Sequence, residues 1–315
     1  MQEHLFSYDD ICLQPKYSTL ESRSDADTSV DFLGFKFALP VVPANMTDVI
    51  SLNNAMMLAE GGYFYIMHRF GNATQEAIDS CLDSTLLSIS IGVKDEDKKF
   101  IEKLVLTPSF ITIDTAHSHH KNVADMLKYL HTAFDPSHEE RPKFIAGNVA
   151  TADGYKFLCD SGADAVKVGI GGGSICTTRY KTGFHVPTAY SVWECRQASQ
   201  YDIPIIADGG LKQFGDVAKA LVLGADMVMS GRWFAECIDS PAKIEHGKKI
   251  YRGSTSYEAK GHNNHVEGQT IEIERACTYK ERLLELKQAI QSSVSYGGGR
   301  DLSCFNSVKW FLYRH

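Results

Sequence analysis

One cysteine, Cys176, lies in a run whose composition predicts a nucleophile on a ligand-binding loop. Residues 171–179 read GGGSICTTR and follow the apolar stretch 165–170. Three consecutive glycines let the backbone turn tightly and approach a ligand closely. A thiol presented directly after such a turn, with hydroxyl groups on both sides, can attack an electrophilic carbon of a bound substrate. The sequence therefore favours covalent catalysis by Cys176.

Two further glycine turns predict a phosphate site. Residues 208–210 (DGG) and 230–232 (SGR) each follow a short apolar run. Glycines at such turns expose backbone N–H groups, which bind phosphate oxygens, and Ser174 adds a hydroxyl group nearby. Asp208 is placed to accept hydrogen bonds from ribose hydroxyls. A phosphate site beside a ribose site indicates a nucleotide, whereas the alternative is that the glycines serve only as tight turns.

A cluster of histidines near Asp114 raises the alternative of a metal-dependent hydrolase. His117, His119 and His120 follow this aspartate closely, but no carboxylate–histidine motif elsewhere in the sequence matches them. A solvated loop of histidines is the favoured interpretation. Asp114 remains a candidate for contact with a second ligand.

The elements that must position these residues follow a regular order. Short apolar runs alternate with segments of helical periodicity, which is typical of an α/β fold with a buried parallel sheet. The eight runs are residues 39–42, 63–67, 86–91, 110–114, 143–147, 165–170, 203–208 and 226–230. Eight such units predict a (β/α)8 TIM barrel, whose active site lies at the carboxyl ends of the strands. An open doubly wound sheet is the rival fold, but no G-x-G-x-x-G sequence follows the first run.

The remaining segments complete a prediction of one domain over residues 1–315. Residues 1–37 precede the first strand and are expected to cover the bottom or an edge of the barrel. Residues 214–223 predict a helix closed by Gly224, and a final helix is expected over residues 279–293. The polar segment 251–275 predicts a mobile flap.

Composition limits the partners of the chain. A net charge of −7 argues against general nucleic-acid binding, and no apolar run is long enough to cross a membrane. Residues 1–4 (MQEH) lack the basic and apolar regions of a signal peptide. None of the eight cysteines forms a C-x-x-C pair, so they are expected to be free thiols, and all but Cys176 small buried side chains. We therefore expect a cytoplasmic protein.

Taken together, these residues resemble the IMP dehydrogenase/GMP reductase family. The similarity runs from residues 8–11 (YDDI) to residues 296–298 (YGG) and includes the cysteine run 171–179. Its other motifs are residues 205–210 (IIADGG), 215–220 (GDVAKA) and 251–253 (YRG). Members of this family are barrels that attach C2 of a purine nucleotide to a cysteine, usually with a monovalent cation on the cysteine loop.

The resemblance implies a role for each matching position. Cys176 is the expected nucleophile, and Thr178 with Glu267 is the expected pair for proton transfer during deamination. The substrate-binding residues that it implies are Ser174, Asp208, Gly209, Gly210, Gly231, Arg232 (through its backbone N–H), Gly253, Ser254 and Thr255. The cofactor-binding residues that it implies are Asp114, Thr115, Ala116 and Asn148. Backbone carbonyls of Gly171, Gly173 and Cys176 are the expected ligands of a potassium ion.

Four features of the sequence favour the reductase branch of the family. The chain lacks the CBS insertion that most dehydrogenases carry between early barrel units. Residues 256–267 are too short for the long dehydrogenase flap and contain no Arg-Tyr pair, which the dehydrogenase uses to activate water. Residues 181–183 (KTG) and 253–256 (GSTS) are similar to the reductase pattern.

The reaction implied by this branch converts GMP, NADPH and a proton into IMP, ammonia and NADP⁺. The family also forms homotetramers, and residues 292–298 resemble the segment that reaches the cofactor site of a neighbouring subunit. The sequence itself shows no clear site for a 2′-phosphate, so NADPH over NADH rests on the resemblance. Two alternatives stay open, a short IMP dehydrogenase that uses NAD and a nucleotide-binding barrel without catalysis.

One position departs from the family pattern. Gly172 stands where the family loop usually has proline. A glycine there predicts a loop that is more flexible when empty and loses more entropy when it becomes ordered.

Overall fold

The computed structural model describes residues 4–80, 86–134, 141–198, 200–257 and 266–313. Within these ranges the strands are β1 (Ile11–Leu13), β2 (Val30–Phe32), β3 (Phe35–Phe37), β4 (Val41–Pro43), β5 (Ser88–Ile91), β6 (Phe110–Asp114), β7 (Lys143–Val149), β8 (Ala165–Val168), β9 (Ile205–Asp208), β10 (Met227–Ser230), β11 (Ile244–Glu245), β12 (Lys248–Arg252), β13 (Thr270–Ile273) and β14 (Trp310–Leu312).

The main sheet is parallel and curls into a barrel. Its strand order is β4-β10-β9-β8-β7-β6-β5, so that the last strand in sequence lies beside the first. Nearly every residue of these strands is buried, as expected when helices cover one face and the barrel interior fills the other. The chain therefore has the α/β barrel architecture that the alternation of apolar runs predicts.

The gap between the two end strands, β4 and β5, is filled by residues 63–67, which are not part of a strand. The Met67 N–H donates to the carbonyl of Ser88 at 3.0 Å. The buried Tyr65 hydroxyl donates to the carbonyl of Leu86 and accepts the N–H of Ser88. The prediction of a strand over residues 63–67 was therefore wrong in its hydrogen bonding, although the segment takes the eighth position of the barrel.

Helices surround the sheet, and four of them begin after a residue whose side chain caps the first turn. They are α1 (Leu52–Glu60), α2 (Ala73–Ser80), α3 (Asp95–Ile101), α4 (Lys121–Ala133), α5 (Ala152–Asp160), α6 (Thr178–Thr182), α7 (Thr188–Gln197), α8 (Gly215–Val222), α9 (Arg232–Ala235) and α10 (Tyr279–Tyr296). The predicted final helix begins as expected, because Thr278 and Glu281 form a capping box. It runs to Tyr296 rather than ending at Ser293. Among the described residues, no helix combines the length and the apolar composition needed to cross a bilayer.

The segment before β4 closes the amino end of the barrel. Strands β2 and β3 form a hairpin whose rings pack against Phe64 and against Phe110, the first residue of β6. The Phe37–Phe64 and Phe35–Phe110 ring centroids lie 5.0 and 4.9 Å apart. These packed aromatic rings cover the amino end of the barrel, so the barrel is open at the carboxyl ends of its strands. Strand β1 pairs with β14, which joins the two ends of the described chain.

Two expectations need correction or restriction. Cys12 is exposed rather than buried, because it lies on the short β1–β14 ribbon outside the barrel. Part of the predicted flap, residues 258–265, lies outside the described residues. On either side of that gap, β12 and β13 pair antiparallel, with Arg252 opposite Thr270.

Candidate active site

A cavity of about 220 Å³ opens at the carboxyl ends of the barrel strands. Of the residues singled out from the sequence, eleven line it: Asp114, Thr115, Ala116, Asn148, Gly171, Cys176, Thr178, Asp208, Ser254, Thr255 and Glu267. They come from four strand ends and from the segment after β12, so residues far apart in sequence share one small volume.

The nucleophile candidate stands at the start of a hydrogen-bonded chain. The Cys176 thiol donates to the Thr178 hydroxyl at 3.2 Å, and that hydroxyl donates to a Glu267 carboxylate oxygen at 2.7 Å. Such a chain gives the thiol proton a route to a carboxylate, which is what activation of a nucleophile requires.

Backbone contacts fix Glu267 beside the cysteine loop. The Thr177 N–H donates to the carbonyl of Glu267 at 2.7 Å, and the Glu267 N–H donates to the carbonyl of Thr255 at 3.1 Å. Cys176 and Gly268 form an isolated antiparallel bridge. The returning flap segment thus adds a strand-like edge to the cysteine loop, and this edge carries the carboxylate to the thiol.

A buried lysine, Lys167, lies between the two aspartates of the cavity. Its ammonium group is 2.8 Å from Asp114 Oδ1 and 3.7 Å from Asp208 Oδ2, and the residue is 2% exposed. The Asn148 side-chain amide donates to Asp208 Oδ2 at 2.8 Å. Burial would raise the pKa of Asp114, but Lys167, with smaller effects from Arg69 and Asn45, outweighs burial, and the pKa lies below its usual value. Asp114 is therefore an ionised hydrogen-bond acceptor at neutral pH.

The glycine turn after β9 packs directly against the cysteine loop. Gly209 and Gly210 have φ angles of +83° and +80°, a conformation that side chains disfavour. A Cβ atom on Gly209 would lie 3.1 Å from the backbone nitrogen of Gly173. The two loops that were expected to share a phosphate are therefore adjacent.

The turn after β10 faces a buried phenol. A Cβ atom on Gly231 would lie 2.1 Å from the Tyr251 hydroxyl oxygen, so only glycine leaves room for this approach. Burial, with smaller effects from Asp208 and Asp48, raises the pKa of Tyr251 above its usual value. Its hydroxyl therefore keeps its proton at neutral pH and can donate to an anion at this turn.

Several predicted substrate residues lie outside the central cavity. Ser174 and Arg232 line a second cavity of about 510 Å³, together with Lys212 and Arg282. Gly253 lies against the returning flap segment, where its Cβ would meet the Cα of Gly268 at 2.9 Å. The predicted phosphate contacts thus form the outer side of the site.

The predicted potassium ligands lie on one tight turn. The Cys176 N–H donates to the carbonyl of Gly173 at 3.1 Å, and Gly171 has a φ angle of +79°. Carbonyl oxygens are hard ligands of the kind that a monovalent cation prefers, so the donor set fits such an ion.

The histidine cluster lies at the edge of a neighbouring cavity. His117 and His119 line it with Phe184 and His185. Burial, and then the nearby charges of His119 and His120, lower the pKa of His117 below its usual value. Across the described ranges, no group of three histidine, cysteine or acidic side chains is arranged to hold a metal ion.

Three residues with a charged or phenolic side chain at the site were not among the candidates chosen from the sequence. They are Lys167, Tyr251 and Arg69, whose Nε lies 3.9 Å from Asp114. A lysine in the middle of the apolar run 165–170 was a usable signal, because a charge in a buried strand needs a partner. Tyr251 was noticed only as part of the motif 251–253. No sequence signal pointed to Arg69.

The fold and the site define an α/β barrel in which a thiol, a hydroxyl and a carboxylate are joined by hydrogen bonds in a cavity at the carboxyl ends of the strands. The chain belongs to the IMP dehydrogenase/GMP reductase family, since residues 5–312 match the family described as IMP dehydrogenase / GMP reductase domain. It is 43% identical to a protein named GMP reductase from Bacillus licheniformis, with 99% of this chain and 97% of that protein aligned. Proteins of the same name from Bacillus subtilis (42% identity) and Lysinibacillus sphaericus (43%) align over the same shares of both chains.

Proposed function

We propose that this protein is a GMP reductase, an oxidoreductase that converts GMP, NADPH and a proton into IMP, ammonia and NADP⁺. The observation that carries the proposal is the Cys176–Thr178–Glu267 chain in a cavity shared by Asp114 and Asp208. Near full-length similarity to proteins named GMP reductase supports it.

The hydrogen bonds suggest how one relay serves both proton transfers. As Cys176 Sγ bonds to C2 of the guanine, its proton passes to the Thr178 oxygen while the Thr178 proton passes to Glu267. The reverse movement then delivers that proton to the 2-amino group, which leaves as ammonia when its bond to C2 breaks. The purine remains attached to the thiol through C2. Splitting one difficult displacement into two easier steps is the advantage of covalent catalysis.

A bound nicotinamide cofactor would supply a hydride to C2. The bond from C2 to Cys176 would then break to release IMP, and the departing thiolate would take up the proton that the reaction consumes. Asp114, Thr115, Ala116 and Asn148 are the residues proposed to hold the nicotinamide ribose of the cofactor. An ionised Asp114 is suited to accept hydrogen bonds from ribose hydroxyls. Closure of the cavity by the segment that carries Glu267 would exclude water, whose attack on the attached purine would give XMP instead.

The nucleotide is proposed to bind across the two cavities. Asp208 accepts from its ribose, whereas Ser174 and the glycine turns after β9 and β10 receive its 5′-phosphate. Tyr251 is added to this set, because its protonated hydroxyl faces Gly231. Ser254 and Thr255 line the cavity at the base end.

Four finer proposals accompany the main one. NADPH is the proposed cofactor in preference to NADH, and potassium is the proposed ion of the cysteine loop. The homotetramer is the proposed assembly. The cytoplasm is the proposed location, where reduced conditions would keep the seven described cysteines as free thiols. Each can be tested directly, by cofactor titration, by removal of potassium, by light scattering and by fractionation.

The first experiment is to follow reduced-nicotinamide absorbance and ammonia together. GMP with NADPH should lower the absorbance and release equal amounts of ammonia and IMP. A rise in absorbance with IMP and NAD⁺ instead would identify a dehydrogenase. Binding of GMP without any turnover would favour a nucleotide-binding barrel.

Glu267→Gln tests the relay within that assay. The amide cannot accept the proton that Thr178 passes on, so ammonia release should slow by about a hundredfold or more. Hydride transfer to purine already attached to Cys176 should slow far less, and rapid-quench kinetics separates the two steps. Glu272→Gln, an exposed glutamate on β13, is the matched control and should behave as wild type. Normal ammonia release by Glu267→Gln would contradict the relay.

A further inference from the structure

The central observation is a single buried cation shared by two carboxylates that serve different ligands. Lys167 lies in the middle of β8, where both neighbours, Val166 and Val168, are fully buried. Its ammonium group contacts Asp114 at 2.8 Å and Asp208 at 3.7 Å, and it also donates to the Asn45 amide oxygen at 3.5 Å. An ammonium group is stable in such a place only when acidic partners compensate for its lost hydration.

We propose that Lys167 is a positioning residue that orients both ribose-binding carboxylates, Asp114 for the cofactor and Asp208 for the purine nucleotide. The inference rests on the proposed function, which assigns one aspartate to each ligand. It adds that the two ligand sites are built around one shared charge and depend on it together.

The geometry also predicts which site depends on Lys167 more strongly. Asp208 has a second hydrogen-bonding partner that fixes its position, because the Asn148 amide donates to the same carboxylate at 2.8 Å. Besides Lys167, Asp114 has a more distant cation, Arg69, at 3.9 Å and a weaker interaction with the Asn45 side chain. The Lys167 ammonium is also closer to Asp114. Loss of this charge should therefore weaken cofactor binding more than nucleotide binding.

Lys167→Met is the first variant, because methionine fills a similar volume without charge. We expect the KM for NADPH to rise by about tenfold or more and the KM for GMP to rise less, with a smaller loss of kcat. Equal rises in both KM values, or none, would overturn the inference. Lys249→Gln is the matched control, since this second buried lysine contacts Ser240 outside the site, and both KM values should stay at wild-type level.

The pH profile provides a readout that a purely structural role would not change. The charged groups facing Asp114 are Lys167 on β8 and Arg69 after the 63–67 segment, with Asp208 beyond Lys167. Without the ammonium, burial, which has the largest single effect on Asp114, should raise its pKa against the smaller opposing effects of Arg69 and Asn45. The acid limb of kcat/KM for NADPH should then move to higher pH in Lys167→Met. An unchanged acid limb would contradict the inference.

Two further variants separate failure of this inference from failure of the site assignment. Asp114→Asn should raise the KM for NADPH, and if it does not, the cofactor assignment itself is wrong. If Lys167 acts through Asp114, adding Lys167→Met to Asp114→Asn should raise that KM little further. Fully additive effects would overturn the inference while leaving the assignment intact.

Lys167→Arg decides the matter if the methionine variant does not fold. The longer arginine side chain keeps the charge. Because Asp114 is the nearer carboxylate, arginine should displace Asp114 more than it displaces Asp208. The KM for NADPH should again rise more than the KM for GMP. Wild-type values of both in a folded arginine variant would overturn the inference.

Discussion

At the scale of single residues, chemistry depends on a few side chains whose polar atoms are held by specific partners. The Cys176 thiol, the Thr178 hydroxyl and the Glu267 carboxylate form one directed chain of hydrogen bonds. Directed chains matter because each member can pass a proton without moving far. The rest of the site only has to bring C2 of the purine to the sulfur atom.

Cys176→Ala tests whether the thiol is needed for chemistry rather than for binding. The ribose and phosphate contacts are assigned to other residues in the proposed function, so GMP should bind within a fewfold of wild type. Turnover should fall to background, because no other described thiol lines the cavity. Calorimetry with GMP and an ammonia assay measure the two properties. Cys12→Ala, at an exposed cysteine on β1, should keep full activity. Residual turnover in Cys176→Ala would exclude covalent catalysis by this residue.

At the scale of elements, the cysteine loop is shaped by its contact with helix α7. A Cβ atom on Gly172 would lie 2.4 Å from the hydroxyl oxygen of Thr188, the first residue of α7. That hydroxyl is buried and has no hydrogen-bond partner among the described residues. Packing against Thr188 therefore explains why this chain has glycine at position 172, where the family usually has proline. This reason is separate from the loop flexibility expected from the sequence.

Gly172→Ala should strain this contact and displace the cysteine loop. We expect a loss of about 1–3 kcal/mol in the free energy of unfolding and a lower kcat/KM for GMP. Thr188→Ala in the same chain removes the clashing oxygen and should restore both. Thermal unfolding and steady-state kinetics measure these effects. Gly215→Ala, where a Cβ meets nothing within 4 Å, is the control and should be silent. A Gly172→Ala protein as stable as wild type would show that the cysteine loop can move to accept the added methyl group without loss of stability.

At the scale of the whole molecule, the barrel closes at a seam, formed by residues 63–67 against β5. This seam lacks the regular hydrogen bonds of two paired strands. Residues 63–67 lie between the first and last positions of the sheet and connect to β5 partly through a side chain. The Tyr65 hydroxyl donates to the Leu86 carbonyl at 3.0 Å and accepts the Ser88 N–H at 3.4 Å. A side-chain hydroxyl thus replaces a backbone partner in closing the barrel.

Tyr65→Phe should weaken closure of the barrel at this seam with almost no change in side-chain volume. The Leu86 carbonyl would lose a partner that water cannot easily replace in a buried seam. We expect the free energy of unfolding to fall by about 1–3 kcal/mol, measured by denaturant titration. Tyr17→Phe is the control, because that side chain is 87% exposed. An unchanged unfolding midpoint for Tyr65→Phe would mean that packing and the Met67–Ser88 backbone hydrogen bond hold the seam without the hydroxyl.

The sequence by itself determined the features that depend on local order. Alternating apolar runs predicted the barrel, and seven of the eight runs became strands within about two residues of their expected ends. The eighth, residues 63–67, failed because a short buried run does not reveal whether its backbone partners lie in register. The glycine-rich cysteine run and the two glycine turns were visible for the same local reason, since turn chemistry is set by neighbouring residues.

Only the tertiary structure decided how distant residues meet. Glu267 reaches Thr178 across 89 positions, and Lys167 meets Asp114 across 53. The sequence offered a charged residue in a buried strand, but it did not show that the acids at the ends of β6 and β9 would share its charge. It also gave no sign that Thr188 would exclude a side chain from position 172. These contacts arise because parallel strands bring their carboxyl ends together, and strand order in space is set by barrel closure rather than by spacing along the chain.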